Sequence, residues 1–560
     1  MSFSIILPLL PPILVLVIRL ITRRVVSAIM IGIFAASFIA TQGSLFDATV
    51  LSFGKLYNNL ELNRLFGSEG LFGCWNILIC FFLIVVGTII SAIRAAGGTQ
   101  AYISFIKGYL HNKRAAEGAS LVLSLFLFID DYFSSLTVGA TMQPIADQHK
   151  IPRVKLAFLI DALAAPLTVL CPLSTWAAAI LGFLRDNGIS ETMGAGTLVL
   201  GKPLCVYFHI LPYMFYSFLI MFAAWVIVQT RTSYGLMEKF ELSAERKIPH
   251  EETLASRMKG DNIKHQLPHS MIDFVVPIVF LTICVFIGLL YSGGWWLTGG
   301  ERPLLEALPK ANAAIALFVG GVLAFLSIFS FLIVRKRLLF QQIPGICYEG
   351  IRVMLPSIII LILAWALGDL LRNDLHTGRE LANLMSSIHL SNVNLLPLAF
   401  FLCAFAMSST IGSSWGTAAI LFPIAIPMIL TLTQNAPGIA ADNLHILYPA
   451  LGAILSGCMA GDHISPISDT TVMTSHSTHV KHMDHVSTQM GYTLPVVAAT
   501  AFAFYLLSIC ASDAPYTAIV LSVFIAFCSY LVFIGSIGFV KYLNKERQLQ
   551  TTYSTLSEEG

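Results

Sequence analysis

Charged residues are scarce in this sequence. Lys, Arg, Asp and Glu make up 11% of its 560 residues, whereas a typical soluble domain contains about 25%. Hydrophobic residues reach 56%, and the mean hydropathy is +0.78. This composition excludes a soluble globular domain and predicts a polytopic membrane protein. The net charge of +2 gives no indication of nucleic-acid binding.

Paired cysteines are also lacking. The ten cysteines are scattered singly and fall mostly inside apolar runs, without the paired spacing that metal sites use. We interpret them as reduced core residues and expect neither a cofactor nor a resident metal. The first apolar segment, Ser2–Leu20, has no basic residue ahead of it and no small-residue cleavage site, so we expect a retained span.

Two adjacent carboxylates nevertheless lie inside an apolar run, in the stretch 128–139. A charge at the bilayer centre costs roughly 2.5 to 3.5 kcal/mol even on lenient scales, and ionisable residues in membrane segments usually mark an ion or substrate site. We therefore predict Asp131 to be an ion ligand or proton carrier. Its predicted supporting residues are Asp130, Ser134, Ser135 and Thr137.

The charges around this stretch predict its topology. Lys113 precedes it and Lys150 follows it, so both flanks are expected in the cytoplasm. A simple span changes sides. We therefore predict a re-entrant hairpin over 117–148 with its tip near Asp131–Thr137. Broken backbone at membrane depth is tolerated only against protein or a water-filled cavity, which is where ions bind.

The next apolar segment, 156–183, is interrupted by a carboxylate and two prolines. Asp161 lies in its first half, and Pro166 and Pro172 interrupt the helical pattern further on. We predict a broken helix in which Asp161 is a second ion ligand or proton carrier. The predicted supporting residues here are Ser174 and Thr175.

The second half of the chain repeats the first. Residues 134–146 align without a gap on 413–425, and the Pro-Leu-Ser-Thr motif at 172–175 matches Pro-Ile-Ser-Asp at 466–469. The charge flanks of the repeats are opposite, because no Lys or Arg occurs between Glu380 and Val480. A second hairpin over 394–428 is therefore expected to have both flanks outside. Inverted repeats with Pro-interrupted helices in matching positions are typical of secondary transporters.

A second broken helix, predicted over 447–475, carries the other polar centre. Asp462 and Asp469 flank Pro466 and are predicted to be ion ligands or proton carriers. Carboxylate, hydroxyl and freed backbone carbonyl oxygens suit a hard alkali cation better than a transition metal. The predicted supporting residues of this half are Ser413, Ser414, His463, Ser465, Ser468 and Thr470.

Three of these stretches carry a family resemblance. Residues 130–139, 155–166 and 461–471, the last followed by His-Met-Asp-His-Val at 482–486, resemble the NhaC-type sodium/proton antiporter family of the ion transporter superfamily. The similarity covers roughly Leu71–Tyr505. It implies a scaffold domain, a mobile domain with two opposed hairpins, a homodimer, and alternating-access exchange of Na⁺ for H⁺. Because relatives exchange organic acids or other solutes, a sodium- or proton-coupled exchanger of a small organic acid or amino acid is the alternative.

The predicted fold is an all-α polytopic membrane protein with about 11 transmembrane helices plus the two opposed hairpins. We expect it in a bacterial inner membrane, with the N-terminus outside and the C-terminus in the cytoplasm. The predicted units are N-terminal helices with an external loop from Asp47 to Gly70 (1–70), the first repeat (71–229), a cytoplasmic linker (230–270), scaffold helices (271–344), the second repeat (345–510) and a last helix with its cytoplasmic tail (511–560).

The candidate residues also have structural interpretations. Asp130 or Asp131 can bond to a neighbouring serine, Asp462 or Asp469 can cap a half-helix, and hydroxyls can bond to backbone carbonyls. Four histidines, at 476, 479, 482 and 485, are expected in a solvated cytoplasmic loop.

A channel and a membrane enzyme are the other classes of function. A channel needs a continuous polar path, and an enzyme needs an activated nucleophile, for which Asp462, His463 and Ser465 are the conceivable triad. The inverted repeat argues against both, so no enzymatic activity is expected.

Overall fold

The described part of the chain is mostly helical. The computed structural model describes residues 7–22, 24–65, 70–98, 101, 105, 110, 112–194, 196–246, 270–303, 307, 311–377, 379–380, 383, 393–466, 468–510 and 515–558. Within these ranges, 7 helices are long and apolar enough to cross a membrane, or up to 10 if each bent pair is one span. The predicted class, an all-helical multi-pass membrane protein, is confirmed.

The described residues of the first half form helices and two short strands. They are α1 (Leu10–Thr22), α2 (Val25–Ala40), α3 (Leu45–Asn59), α4 (Leu62–Leu65), α5 (Trp75–Ala95), α6 (Lys113–Phe126), α7 (Asp131–Gln148), α8 (Arg153–Leu170), α9 (Thr175–Asp186), β1 (Ile189–Ser190), β2 (Val199–Leu200), α10 (Pro203–Ile210), α11 (Phe215–Thr230) and α12 (Gly235–Arg246).

The second half continues in the same manner. Its elements are α13 (Ile272–Ser292), α14 (Ala313–Val334), α15 (Ile343–Asp369) with a π-helical extension (Leu370–Asp374), α16 (Leu396–Ile411), α17 (Ser414–Leu432), β3 (Ile439–Ala440), α18 (Leu447–Ile464), α19 (Asp469–Ser477), α20 (His482–Cys510) and α21 (Pro515–Glu558).

One group of helices surrounds α5, which packs against α14 and α15, while α13 packs against α14. Close approach between α5 and α15 depends on glycine. A Cβ atom at Gly87 would overlap the backbone of Gly350, and one at Gly350 would overlap the backbone of Thr88. Small residues at such crossings allow helices in a membrane to pack backbone to backbone.

Each half also carries a hairpin followed by a broken helix. The hairpins are α6–α7 and α16–α17. In the first half, α8 and α9 meet at an angle of 49° across a short break. Serine caps the second half-helix in both breaks, since Ser174 accepts the N–H of Ala177 at 3.0 Å and Ser468 accepts the N–H of Thr471 at 3.3 Å. The two proline-serine motifs therefore occupy equivalent places.

The tip of the first hairpin lies earlier than predicted. The carbonyl of Asp130 already accepts the N–H of Ser134 at 3.0 Å, so α7 runs through the segment Asp131–Thr137 that was predicted to be the tip. The turn instead occupies residues 127–130. In the second hairpin the turn is made at Gly412, whose φ of 65° favours glycine.

The helix starts also correct the alignment of the two hairpins. α7 begins at Asp131 and α17 at Ser414, and this register pairs Pro144 with Pro427. The sequence alignment paired Pro144 with Pro423 and is one helical turn out of register. Repeating apolar residues and a second proline in α17 make the wrong register look equally good.

Two segments predicted to be loops contain helices. The predicted external loop from Asp47 to Gly70 begins with α3, which Lys55 ties to Asp369 by an ion pair of 3.0 Å. Within the predicted cytoplasmic linker, α12 packs against α20. The remainder of that linker, 247–269, lies outside the described residues.

A small parallel sheet joins the connections that follow α9 and α17. Ile189 pairs with Val199, and Val199 pairs with Ile439, in the order β1-β2-β3. The first repeat and the second repeat are therefore linked outside the helices as well as within them.

Candidate cation site

The tip of the first hairpin is held against the broken helix that follows it. Thr175 donates its hydroxyl to Asp130 at 3.0 Å, and the indole N–H of Trp176 donates to Asp131 at 2.8 Å. The backbone N–H of Thr175 also donates to the carbonyl of Ile129 at 3.0 Å. Both predicted carboxylates therefore lie at the start of α9, and each is only 1% exposed.

Asp161 connects the two halves of the molecule. It lies in α8 with 0% exposure, and its Oδ2 accepts the hydroxyl of Thr471 from α19 at 3.0 Å. The same oxygen accepts the side-chain amide of Gln489 from α20 at 2.6 Å. Its Oδ1 is buried without a hydrogen-bond partner among the described residues.

Asp462 lies at the break between α18 and α19. Its Oδ2 accepts the hydroxyls of Ser468 at 2.8 Å and Thr470 at 2.7 Å. The cap of α19 is Ser468, so capping by Asp462 does not account for this carboxylate. Asp462 is close enough to Asp131 for their charges to interact. Asp469 begins α19, but its side chain lies outside the described part of the structure.

Hydroxyl oxygens of α7, within two helical turns of Asp131, are buried without hydrogen-bond partners in the described structure. The Oγ atoms of Ser134, Ser135 and Thr137 are buried, and the described structure offers them no hydrogen bond. Buried polar atoms in folded proteins are normally paired. Oxygen atoms that are buried and unpaired near carboxylates are suited to coordinate a hard cation.

Several other predicted supporting residues have structural roles. Ser174 caps α9, Ser413 caps α17 by accepting the N–H of Gly416 at 3.1 Å, and Ser414 donates to the carbonyl of Cys458 at 3.1 Å. The backbone N–H of Ser465 donates to the carbonyl of Asp462 at 3.0 Å. These contacts fix the helix ends around the carboxylates.

The conceivable triad is not assembled. His463 is buried and its Nδ1 pairs with the hydroxyl of Tyr216 at 2.8 Å, while its Nε2 has no hydrogen bond in the described structure. The imidazole therefore does not bond to Ser465, which a nucleophile-activating base must do.

The helix that carries the last histidines contributes residues that the sequence analysis missed. His482 and His485 begin α20, and His485 is 0% exposed rather than part of a solvated loop. Its Nε2 bonds to Oε1 of Gln489 at 2.8 Å, and Gln489 in turn bonds to Asp161. His476 and His479 are exposed, as expected. The helical spacing of 482, 485 and 489 was the available signal.

The two carboxylates of the broken helices lie at different places along them. Asp462 lies near the end of α18, next to the break before α19, whereas Asp161 lies in the middle of α8, well before the break that precedes α9. Trp176 near the start of α9 contacts Trp415 near the start of α17, with ring centroids 4.6 Å apart. Paired hairpins and broken helices that surround buried carboxylates define a secondary transporter.

Comparison with known proteins identifies the family. Residues 201–509 match the model of the Na⁺/H⁺ antiporter family, and the chain belongs to this family. The resemblance seen in the motifs is thereby confirmed. Family membership implies a transporter, with Na⁺ and H⁺ as transported ions, rather than an enzyme.

Several individual proteins are similar to this chain. An uncharacterized protein of Haemophilus influenzae is 28% identical over 88% of this chain and 89% of its own length. The malate-2H⁺/Na⁺-lactate antiporter of Bacillus subtilis is 29% identical over 34% of this chain and 36% of its own. Among solved structures, MtrF of Neisseria gonorrhoeae shares the fold, with a TM-score of 0.53 at 13% identity over 82% of this chain and 84% of that chain.

Proposed function

We propose that the protein exchanges Na⁺ for H⁺ by alternating access at one site formed by Asp131, Asp161 and Asp462. The observation that supports this proposal is the burial of three carboxylates, one from the first hairpin and one from each broken helix, together with unpaired hydroxyl oxygens on the helix that Asp131 begins. Asp469 is also part of the proposed site, because it begins α19. The expected homodimer and the orientation with the N-terminus outside belong to the same proposal.

Competition between the two ions follows from the chemistry of buried carboxyl groups. Burial favours the protonated, neutral form of a carboxyl group, whereas a bound cation favours the ionised form. A sodium ion that reaches the oxygen atoms of Asp131 or Asp161 therefore displaces a proton from the same atoms. The carbonyl ends of α8 and α18 add partial negative charge, which also stabilises a cation.

Alternating access requires one group of helices to move relative to another. The hairpins and broken helices form a connected unit through the bonds of Asp131 to α9, of Asp161 to α19 and α20, and of Ser414 to α18. This unit meets the helices around α5 mainly where α17 packs on α15 and α9 packs on α5. We propose that movement along this boundary exposes the carboxylates to either side in turn.

The test measures Na⁺-driven proton movement in everted vesicles with a pH-sensitive dye. Addition of Na⁺ should dissipate an imposed proton gradient. Asp131→Asn and Asp161→Asn should reduce this response to the background of vesicles without the protein. Asp147→Asn is the control, because Asp147 pairs with Arg153 outside the site at 2.7 Å. Sodium-driven exchange that persists in both site variants would remove these carboxylates from the mechanism.

Coupled exchange of an organic acid is the second candidate. It is favoured by the similarity to the Bacillus subtilis malate-2H⁺/Na⁺-lactate antiporter, although that similarity covers a third of the chain. Uptake of labelled lactate and malate in the same vesicles separates the two candidates. Uptake of the labelled acid that depends on a sodium gradient and on Asp131 supports coupled exchange. Sodium-driven proton movement without any uptake of the labelled acids supports simple antiport.

A further inference from the structure

A polar cavity separate from the candidate cation site lies at the end of α9 that is remote from Trp176. Its volume is about 510 Å³, within the range of small-molecule sites. The walls come from the turn between α3 and α4, the start of α5, the end of α9 and the π-helical extension of α15. Its charged and amide lining includes Glu61, Asn76, Arg185, Asp186 and Arg372.

The two arginines are positioned by other groups. The guanidinium of Arg185 lies over the ring of Trp75, 4.7 Å from its centroid, and its Nη1 is 3.5 Å from Oε1 of Glu61. Arg372 lies on the π-helical segment, a type of distortion that often occurs at functional sites. Asp186 interacts electrostatically with both guanidinium groups.

Donors and acceptors around this cavity are left without hydrogen bonds. Nη1 of Arg372 is a buried donor with no hydrogen-bond acceptor in the part of the chain that is described, and Nη1 of Arg185 has only its long ion pair with Glu61. Oδ2 of Asp186 and Oδ1 of Asn76 are buried acceptors with no donor there. Asn76 is only 3% exposed, and its amide is fixed by a bond of 2.9 Å to the carbonyl of Asn59.

This combination fits a particular ligand chemistry. Guanidinium groups recognise oxyanions, carboxylates among them, through charge-assisted and often bidentate hydrogen bonds. The unpaired oxygens of Asp186 and Asn76 call for a hydrogen-bond donor on the same molecule. We propose that this cavity is a second binding site, separate from the cation site, for a small carboxylate solute that also carries a hydroxyl or ammonium group.

Four probes test the carboxylate and the hydrogen-bond donor of the solute separately. Lactate carries a carboxylate and a hydroxyl, and alanine carries a carboxylate and an ammonium. Propionate lacks the donor, and lactamide lacks the carboxylate. The purified full-length protein is titrated calorimetrically with each probe in sodium-free buffer, so the result does not depend on Na⁺/H⁺ exchange.

The expected result is saturable binding of lactate or alanine, with propionate and lactamide each at least about tenfold weaker because a charge-assisted hydrogen bond is lost. Which of the first two binds identifies the donor as hydroxyl or ammonium. Arg372→Gln and Arg185→Gln should weaken binding at least about tenfold. Arg352→Gln is the matched control, since Arg352 is 72% exposed on α15.

The cation-site variant Asp131→Asn should bind the solute as the parent does. Loss of binding in Asp131→Asn would place the solute at the cation site and overturn the proposal. So would saturable binding that survives Arg372→Gln, or the failure of all four probes to bind folded parent protein. If Arg185→Gln fails to fold because its contact with Glu61 is lost, the Arg372 variant and the probe series still test whether the cavity binds the solute.

Discussion

Thr471 donates its hydroxyl to Asp161 across 3.0 Å and so joins the broken helix of the second repeat to that of the first. This bond brings residues that are 310 positions apart in the sequence into one buried site. Asp161 thereby depends on both repeats, and any relative movement of α8 and α19 changes its hydrogen bonds.

Removing this donor should weaken the site without removing a charge. Thr471→Val keeps the shape of the side chain but deletes a hydrogen bond to a charged group, which typically contributes about 1.5 to 3 kcal/mol. We expect the apparent Na⁺ affinity in vesicles to weaken about tenfold or more. Thr478→Val is the control, because the Thr478 hydroxyl bonds only within its own segment, to the carbonyl of Thr474 at 2.6 Å. Equal behaviour of the two variants would contradict the role of Thr471.

Proton competition at the carboxylates should appear in the pH dependence of the parent protein. If one proton must leave before Na⁺ binds, the apparent Na⁺ affinity falls about tenfold for each pH unit on the acid side. Asp131→Asn and Asp462→Asn should each abolish sodium-driven proton movement, because asparagine keeps the shape and removes the titration. A sodium affinity that is indifferent to pH would contradict a shared site.

If the repeats are inverted as proposed, each hairpin faces a defined side of the membrane. Lys113→Cys and Lys150→Cys should both react with a membrane-impermeant reagent from the cytoplasmic side, and Asn394→Cys and Asn435→Cys from the outside. The measurement uses intact cells and everted vesicles in a cysteine-free background. Labelling of Lys113→Cys and Lys150→Cys from opposite sides would make the first hairpin a simple span.

The sequence predicted the features that are local. Prolines and a carboxylate within apolar segments indicated the breaks at 171–174 and 465–468, and the adjacent aspartates marked the first hairpin. It did not predict contacts that depend on tertiary packing, such as the bond of Trp176 to Asp131 or of Gln489 to Asp161. Tryptophan and glutamine in an apolar helix usually pack without contacting an ion site, so their residue types carried no signal.

Helix α12 should be held in place by buried charges. Nζ of Lys155 bonds to Glu241 of α12 at 2.7 Å and to Glu117 of α6 at 2.9 Å, and Lys155 is only 1% exposed. Burial raises the pKa of Glu241, but the ammonium groups of Lys155 and Lys113 outweigh this and hold the pKa below its ordinary value of 4.5. The ionised carboxylate therefore stabilises the docked helix above about pH 4.5, and this contribution is lost as the pH falls through the lowered pKa.

The docking of α12 is measured by the anisotropy of a fluorophore attached at Lys239→Cys, on the exposed side of the helix. Anisotropy should fall when the pH drops below about 4.5. It should also fall at neutral pH in Lys155→Met, whereas Lys481→Met, on an exposed lysine elsewhere, should leave it unchanged. Equal anisotropy in the two variants would show that the ion pairs do not hold α12.

The last prediction concerns the contact between the first hairpin and the second broken helix. Gly139 of α7 lies against Ser477 of α19, whose hydroxyl donates to the carbonyl of Ser135 at 2.8 Å. A Cβ atom at Gly139 would overlap the Ser477 hydroxyl and would lie only 3.2 Å from the backbone of Ser477. The two helices would therefore have to separate. Overpacking of this kind typically costs about 1 to 3 kcal/mol.

Gly139→Ala should therefore slow sodium-driven proton movement by at least about tenfold while the protein still inserts, because the hydroxyls of α7 would move relative to Asp161. Gly118→Ala is the matched control in the same hairpin, since a Cβ atom there meets nothing within 4 Å. Gly139→Ser should be at least as harmful as alanine. Normal exchange in Gly139→Ala would show that the site tolerates separation of α7 from α19, and the oxygen atoms of α7 could then not be ligands of the same ion as Asp161.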